Sequence, residues 1–349
     1  MPVKVSALGH FGEGENLLNG QTVKTRIITE ELQNQLGREQ VLKIDTHGGA
    51  KTLIKAPFQT VSALKNGRNV LILPAQNGLR VYAPLLSSFR HFFKGRKLHY
   101  VVIGGWLPQF LTKRKRLAKA LKNFDGIYVE TNTMKTALET QGFRNVLVMP
   151  NCKRLTALSE EELVYPDGAP YRLCTFSRVM KEKGIEDAVN VVETVNRELG
   201  WTAFTLDIYG QIDSAQTAWF NELQSAFPPY IRYGGAVPFD QSVDVLKDYF
   251  ALLFPTYYEG EGFAGTLIDA YAAGVPVIAS DWKYNTEIVN EKVGYVYKTR
   301  DQAALAELLK AVATDSTAML KKRRFCLHEA EKYKIEKAVG VLLERMKGD

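Results

Sequence analysis

The sequence predicts an α/β protein with two doubly wound parallel sheets. Short apolar runs, many closed by Gly or Pro, alternate with longer stretches in which apolar residues recur at helical spacing. This alternation is typical of parallel sheets with crossover helices on both faces. It stops once, between residues 151 and 170, where the composition is that of a linker, and then begins again. The 349 residues are enough for two domains of ordinary size.

The first half of the chain contains a series of buried-strand patterns. They cover Val3–Phe11, Val41–Asp45, Val70–Pro74, Val101–Gly104, Gly126–Glu130 and Val146–Met149. A loop follows the first strand, and residues 21–36 are predicted to form a helix. Gly20 therefore lies at a helix N-terminus, which is either a ligand-binding turn or a simple helix cap. A dinucleotide fingerprint is excluded, because Gly-x-Gly-x-x-Gly does not occur in this loop.

The second half repeats the alternation after the linker. Its predicted strands are Tyr171–Phe176, Thr205–Tyr209, Ile231–Val237, Tyr249–Phe254, Val277–Ala279 and Gly294–Tyr297. A helix is predicted over Asp240–Tyr249, and further helices run from Gln302 to the end of the chain. We therefore predict one domain over residues 1–158 and a second over residues 159–332.

The composition is that of a globular protein, with 46% hydrophobic and 24% charged residues. Cys152, Cys174 and Cys326 are odd in number and lack metal-ligand spacing, which predicts buried, reduced thiols. The first residues run directly into a strand pattern, so we expect no signal peptide. No apolar run approaches the roughly 18 residues of a membrane span. These observations predict a cytoplasmic protein.

The net charge of +7 conceals a strong asymmetry between the two halves. Residues 1–155 carry a net charge of +15, whereas residues 156–349 carry −8. The first half is therefore expected to meet an anionic partner. An anionic membrane surface and a phosphorylated substrate both remain open. Nucleic acid is not expected, because no DNA- or RNA-binding motif accompanies the charge.

The most informative stretch joins a buried strand to a helix through a glycine-rich turn. The turn contains Glu261, the helix is predicted over Thr266–Ala273, and Asp269 lies within it. Free N–H groups and the positive end of the helix dipole suit a bound phosphate at such a turn. The alternative is an ordinary surface turn without a ligand.

Residues 255–281, including Glu261-Gly262-Phe263 and Ala273-Gly274-Val275-Pro276, resemble the donor-site signature of retaining GT-B glycosyltransferases of family 4. That family carries two glutamates separated by seven residues. Here Asp269 takes the place of the second glutamate, and Ala264 that of a glycine. The resemblance implies the GT-B fold, with two Rossmann-like domains facing across a cleft. It also implies that the C-terminal helix, residues 333–349, packs back on the N-terminal domain.

A second stretch, Ser177–Glu186, resembles another signature of the same family, an Arg after a strand followed by Lys-Gly. The matching residues are Arg178 and Lys183-Gly184. In the family these cations bind the donor diphosphate, and two cations at a strand end can neutralise a diphosphate that gains charge as it leaves. A solvated run of charges is the alternative.

The resemblance also implies the roles of the site residues. Glu261 would contact the donor sugar and help hold the charge that develops at the anomeric centre. It would be catalytic together with Arg178 and Lys183, whereas Asp269 would accept hydrogen bonds from the ribose hydroxyls. Main-chain N–H groups from Phe263 to Thr266 would contact sugar or phosphate. The full set of implied substrate-binding positions is Gly20, Gly262, Phe263, Ala264, Gly265, Thr266 and Asp269. No Asp-x-Asp occurs, so we expect no metal and no cofactor beyond the nucleotide-sugar donor.

The acceptor half offers weaker signals. Residues 107–124 are predicted to form one amphipathic basic helix, although Arg114 falls inside its apolar arc. This helix either packs on the sheet or lies at an anionic membrane surface, where it would bring the enzyme to a lipid-linked acceptor. His10 and Glu130 lie near strand ends and either face the acceptor or are structural.

The sequence thus predicts a peripheral cytoplasmic glycosyltransferase of polysaccharide or glycoconjugate biosynthesis. It would move a sugar from a nucleotide-diphosphate-sugar to a hydroxyl of a saccharide or lipid-linked saccharide, with retention of configuration. Two alternatives remain open: a nucleotide-sugar epimerase of the same fold, and a non-enzymatic protein that binds anions or nucleic acid.

Overall fold

The computed structural model describes residues 4–12, 14, 20–48, 50–154 and 156–348. The chain divides into two compact units. Unit 1 comprises Met1–Arg154 together with Lys334–Asp349, and unit 2 comprises Leu155–Tyr333. Val3 of the first predicted strand, and residues 15–19 of the loop that follows it, lie outside the described residues.

Each unit contains a six-stranded parallel sheet. The strands of unit 1 are β1 (Val5–Gly9), β2 (Val41–Asp45), β3 (Asn69–Ile72), β4 (Lys97–Val101), β5 (Gly126–Val129) and β6 (Val146–Val148), in the order β2-β1-β3-β4-β5-β6. Those of unit 2 are β7 (Tyr171–Phe176), β8 (Phe204–Tyr209), β9 (Ile231–Gly235), β10 (Ala251–Phe254), β11 (Val277–Ser280) and β12 (Gly294–Tyr297), in the order β12-β11-β10-β7-β8-β9.

Helices connect the strands in both units. They are α1 (Gly20–Leu36), α2 (Ala50–Asn66), α3 (Gln76–Phe89), α4 (Leu107–Thr112), α5 (Lys115–Lys122), α6 (Asn132–Glu139), α7 (Ile185–Leu199), α8 (Thr217–Ser225), α9 (Ser242–Leu246), α10 (Gly265–Ala272), α11 (Asn285–Ile288), α12 (Gln302–Thr314), α13 (Thr317–Ala330) and α14 (Ile335–Lys347). The predicted α/β class with doubly wound sheets is confirmed.

The central strands are apolar because helices cover both of their faces. In β10, Leu253 belongs to a core shared with α7 and α12, whereas Leu252 belongs to a second core shared with α10 and α13. Neighbouring residues of a strand point to opposite faces, so one short apolar run serves both cores. The three cysteines are buried and free, as predicted.

Several predicted boundaries are wrong. The strand β4 begins at Lys97, whereas the sequence pattern placed the strand at Val101–Gly104. Polar residues at the beginning of β4 interrupt the apolar pattern from which strands were predicted. One of them, His99, is fully buried, and its ring hydrogen-bonds to Tyr128 and Asn69. The helix predicted over Asp240–Tyr249 is reduced to α9, which is preceded by a turn of 3-10 helix.

The single helix predicted over residues 107–124 is instead the two helices α4 and α5. The break falls at Arg114, whose backbone is not helical (φ −131°, ψ 62°). Its guanidinium stacks on the Phe110 ring at 3.7 Å and donates a 2.9 Å hydrogen bond to the Phe110 carbonyl. This position explains a cation within the apolar arc.

The apolar arc of α4 and α5 points into unit 1. Leu107, Leu111, Leu117, Leu121 and Phe124 are all buried. They pack on the protein, so the apolar arc is not available to a bilayer. Contact of the basic side of this segment with an anionic membrane surface remains a prediction. Within the described ranges, no helix is both long enough and apolar enough to cross a bilayer.

The last helix, α14, packs on α1 within unit 1. Its inward side chains join Ile28 and Leu32 of α1 and Val5 of β1 in one core. The buried side chains of α14 are Ile335, Ala338, Val339, Leu342, Leu343 and Met346. Unit 1 is therefore built from two separate pieces of chain.

The buried His99 makes stability depend on pH. Burial lowers the pKa of its imidazole to about 4, from an ordinary value near 6.5. The folded state therefore favours the neutral ring, and its advantage is complete above pH ~6.5 and lost as the pH falls towards ~4. We expect the free energy of unfolding to fall by about 3 kcal/mol across this window. Urea titrations of the parent and of His99→Gln test this, and parallel pH profiles would contradict it.

Candidate active site

The strand order of unit 2 changes direction next to β7. The strands β8 and β9 lie on one side of β7, and β10 to β12 lie on the other. Ligands of open α/β sheets bind at the carboxyl edge beside such a switch point. The loops after β7 and β10, residues 177–184 and 255–264, leave the sheet at this edge, and together they carry most of the predicted site residues.

Gly184 allows these two loops to meet. It has a left-handed backbone (φ 72°), and a Cβ atom there would lie only 2.2 Å from the Pro255 carbonyl oxygen. Any side chain would push the loops apart or strain the backbone. The Lys-Gly pair of the sequence signature therefore has a local physical reason: the glycine brings the preceding lysine against the loop after β10.

The two loops are joined by a buried ion pair between Lys183 and Glu261. The Lys183 Nζ lies 2.6 Å from Glu261 Oε2, and the side chains are 13% and 8% exposed. The Thr256 hydroxyl donates a 2.8 Å hydrogen bond to the same carboxylate oxygen. The rings of Phe254 and Tyr258 flank the ammonium group at 5.9 and 5.1 Å. Two residues predicted to be catalytic are thus held together in a mostly dry setting.

Arg178 occupies a more open position on the first loop. Its Nη1 lies 3.2 Å from the Asp213 Oδ2, and its side chain is 58% exposed. An exposed ion pair of this kind is worth at most about 1 kcal/mol. The guanidinium can therefore exchange its carboxylate partner for a phosphate at little cost.

The helix α10 begins at the end of the second loop. Gly265 is its first residue, and Ala264 precedes it without a side-chain cap on the helix N–H groups. The Thr266 hydroxyl oxygen is buried and has no hydrogen-bond partner among the described residues. Phe263 sends its ring into the core against Tyr333, so only its main chain can face a ligand. This N-terminus can hold an anion, as predicted for such a turn.

The remaining predicted residue of unit 2, Asp269, lies within α10, one turn beyond Gly265. Residues four apart share a helix face, so its carboxylate is on the side where Gly265 begins the helix. Asp269 is 2% exposed, and Gly262 is also buried. A ligand would therefore reach only an edge of this carboxylate.

The predicted residues of unit 1 lie at the carboxyl edge of its sheet. Gly20 is the exposed first residue of α1. Glu130 follows β5 and is buried in an ion pair with Lys24 of α1, with Nζ and Oε1 2.5 Å apart. His10 follows β1, and its ring nitrogens lie 2.8 Å from the Thr22 hydroxyl and 2.8 Å from His47 Nδ1.

The loop after β11 packs against the loop after β10. The Trp282 indole donates a 2.8 Å hydrogen bond to the Tyr258 carbonyl, and Lys283 pairs with Glu259 at 3.1 Å. Thr256 and Asp213 were not predicted, because no motif or spacing links them to Glu261 or Arg178.

The part of the chain that the structure describes contains no group of three or more His, Cys, Asp or Glu side chains that could hold a metal ion. The expectation that the donor is bound without a metal remains a prediction.

Comparison with known proteins finds a family match for part of unit 2. Residues 170–315 match the family described as Glycosyl transferases group 1. The GtfA subunit of the UDP-N-acetylglucosamine–peptide N-acetylglucosaminyltransferase of Streptococcus gordonii is 29% identical over 176 residues. That alignment covers 49% of this chain and 33% of the relative, so the chain matches about a third of the length of that protein.

Solved structures resemble the whole chain. Anabaena HepE in complex with UDP and glucose superposes with a TM-score of 0.73 at 14% identity, covering 98% of both chains. The lipopolysaccharide outer core galactosyltransferase WaaB gives a TM-score of 0.72 at 14% identity, covering 98% of this chain and 99% of that one. At this identity the likeness concerns the fold, and the fold is that of the GT-B class, as predicted.

Proposed function

We propose that the protein is a retaining glycosyltransferase that uses a UDP-sugar as donor. The observation that carries the proposal is the Lys183–Glu261 pair, which lies at the switch point within the region that matches Glycosyl transferases group 1. UDP is suggested by the similar proteins, because the GtfA relative is a subunit of a UDP-N-acetylglucosamine–peptide N-acetylglucosaminyltransferase and the HepE structure contains UDP. The C1–O bond to the diphosphate would break with its electron pair leaving on UDP, a bond from C1 to an acceptor hydroxyl oxygen would form, and the proton of that hydroxyl would pass to the departing UDP.

Each residue has a role suited to its setting. Arg178 and Lys183 stabilise the diphosphate as it leaves, and the α10 N-terminus binds an anionic or hydroxyl oxygen of the donor. Glu261 holds Lys183 in place and faces the charge that develops at the sugar. Asp269 accepts hydrogen bonds from the ribose. Lys183 already has Glu261 as its anionic partner. When the diphosphate arrives, the Lys183 ammonium group would be shared between the Glu261 carboxylate and a phosphate oxygen.

The acceptor is proposed to be a hydroxyl of a saccharide, free or lipid-linked, recognised by unit 1. The charge of +15 on residues 1–155 supports an anionic acceptor or an anionic membrane surface. Attachment to the cytoplasmic face of a membrane, and a role in polysaccharide assembly, belong to the same proposal.

Substitutions of the two carboxylates should have different effects, one on nucleotide binding and the other on the reaction rate. Asp269→Asn should weaken binding of UDP itself, because an amide lacks the charge that strengthens hydrogen bonds from hydroxyls. Glu261→Gln should keep the affinity for UDP and lower the rate of UDP release from UDP-N-acetylglucosamine or UDP-glucose. Calorimetry with UDP and a UDP-release assay measure the two effects. Asp244→Asn, at an exposed carboxylate of unit 2, is the matched control.

If both variants bind UDP and release it at the parent rate, the carboxylates have no part in donor chemistry. An epimerase would convert the donor sugar without an acceptor and without net UDP release, so analysis of the sugar product separates it from a transferase. If the protein binds none of the UDP-sugars in a thermal-shift screen, both the transferase and the epimerase interpretations are contradicted. A ligand at 100 times its Kd should add roughly 2.7 kcal/mol of stability.

A further inference from the structure

One long segment of unit 1 contains no acidic residue. Between Thr46 and Phe124 the sequence has 15 Lys and Arg and not one Asp or Glu. This segment contains helices α2 to α5 together with strands β3 and β4, and α3 packs between α2 and α5. A 2.5 Å hydrogen bond from the Tyr82 hydroxyl to Gln59 joins α3 to α2. We call the outer side of these three helices the α2–α3–α5 face, and its own side chains supply no negative charge.

A basic cavity opens on this face between α3 and the α4–α5 junction. Its volume is about 490 Å³. The residues that line it are Arg80, Pro84, Thr112, Lys113, Arg114, Lys115, Arg116 and Leu117. Five of these are cations and none is acidic. Repulsion among cations so close together is relieved by a bound anion, and arginine forks match the oxygens of a phosphate.

The helix α2 presents an apolar stripe on the same face. Ile54 and Phe58 are each 77% exposed, and Val61 is 39% exposed. Their spacing of four and three residues places them on one side of the helix. The opposite side packs into unit 1 through Ala56, Thr60, Ala63 and Leu64. Ile54 and Phe58 therefore contribute little to the packing of unit 1. Such exposed stripes mark a surface that binds a partner.

Basic residues flank this stripe. Lys55 and Lys65 are exposed on α2, and the exposed Phe92 lies beyond the end of α3. Apolar side chains framed by cations are the pattern of a helix that lies in the interface of a bilayer. A nucleic acid or a soluble polyanion would use the cations and leave Phe58 and Ile54 in water.

We infer that the α2–α3–α5 face docks on a bilayer that contains anionic lipids. The stripe of Ile54, Phe58 and Val61 enters the boundary between headgroups and acyl chains, and the basic cavity binds a lipid phosphate. Docking itself is independent of the transfer reaction. Its consequence, that a lipid-linked saccharide reaches unit 1 from the bilayer, rests on the proposed function.

Sedimentation with vesicles tests the inference on the full chain. The protein should pellet with phosphatidylcholine vesicles that contain phosphatidylglycerol, and not with phosphatidylcholine alone. Replacing both Arg80 and Arg116 with Gln should weaken binding by about 30-fold at low salt, since each basic residue near an anionic surface contributes roughly fivefold. Lys292→Gln with Lys298→Gln, on the exposed surface of unit 2, is the matched control and should bind like the parent.

A second pair of substitutions isolates the apolar contribution. Ile54→Ser with Phe58→Ser should lower vesicle affinity by at least tenfold, including at high salt, where screening has weakened the charges. Both side chains are exposed, so thermal unfolding should be unchanged. UDP binding, measured on the same variants, should equal that of the parent, which separates failure of docking from failure of the proposed donor site.

Three outcomes would overturn the inference. The first is no pelleting with anionic vesicles at low salt. The second is unchanged binding by Ile54→Ser with Phe58→Ser, which would assign the cavity to a soluble phosphate; competition by inositol hexakisphosphate without vesicles would identify that source. The third is self-association of the parent, lost in the same variant and detected by light scattering, which would make the stripe a contact between two copies of the chain.

Discussion

Replacing Lys183 with methionine should lower the rate of UDP release and the stability of unit 2 together. In the proposed site the Lys183 ammonium group contacts the leaving diphosphate. Losing one charge-assisted contact of about 1.5–3 kcal/mol should slow the reaction by roughly 10- to 150-fold. The same substitution leaves the buried Glu261 without its cation. Breaking a buried ion pair from one side typically costs about 3–5 kcal/mol of unfolding free energy.

The double variant Lys183→Met with Glu261→Gln separates these effects. Removing both charges should restore most of the stability, because no uncompensated charge stays buried, whereas UDP release should remain slow. Arg178→Ala is the matched control at an exposed cation: it should slow release with little change in the urea midpoint. Recovery of activity in the double variant would show that Lys183 acts only as the partner of Glu261.

Replacing Gly184 with alanine should destabilise unit 2 and disturb the candidate site together. The left-handed backbone costs an alanine about 1–2 kcal/mol, and overpacking against the Pro255 carbonyl adds about 1–3 kcal/mol. The loops after β7 and β10 must separate to admit the methyl group. We therefore expect weaker UDP binding in the fraction that remains folded, measured by calorimetry, together with a lower urea midpoint.

Gly200 provides the control at the opposite end of α7. It also has a left-handed backbone (φ 76°), but no atom lies within 4 Å of the position of its added Cβ. Gly200→Ala should cost only the backbone term of about 1–2 kcal/mol and leave UDP binding intact. Equal losses in the two variants would mean that contact with Pro255 has no part in building the site.

The fold was predictable because its central strands are buried on both faces. Runs such as β10 and residues 277–279 of β11 have to be apolar throughout, and this property is local in sequence. The pattern failed where a polar residue is buried with partners from other strands, as His99 is in β4. It also failed at Arg114, since an aromatic ring and a carbonyl one turn earlier stabilise a cation where helical periodicity expects an apolar side chain.

The candidate site was predictable only in part. Glu261, Arg178 and Lys183 were identified by resemblance, and the turn into α10 by its glycines and its position after a strand. Their partners were not predictable, because Thr256 contacts Glu261 across an irregular loop and Asp213 contacts Arg178 through tertiary structure. The same holds for Lys24, which contacts Glu130. The ion pair between Lys24 and Glu130, for instance, joins residues 106 positions apart. No periodicity relates residues at such distances.

The return of α14 to unit 1 has a consequence for the order in which the chain folds. The two crossings between the units lie side by side, since Lys153 and Lys334 form a parallel bridge, and unit 2 is therefore a continuous insertion between neighbouring points of unit 1. During synthesis the ribosome releases unit 2 before α14, and domains generally fold as they emerge. Unit 1 is thus the first to be synthesised and the last to complete its fold. Until α14 is released, the apolar side chains of α1 that it covers stay exposed to water or to chaperones.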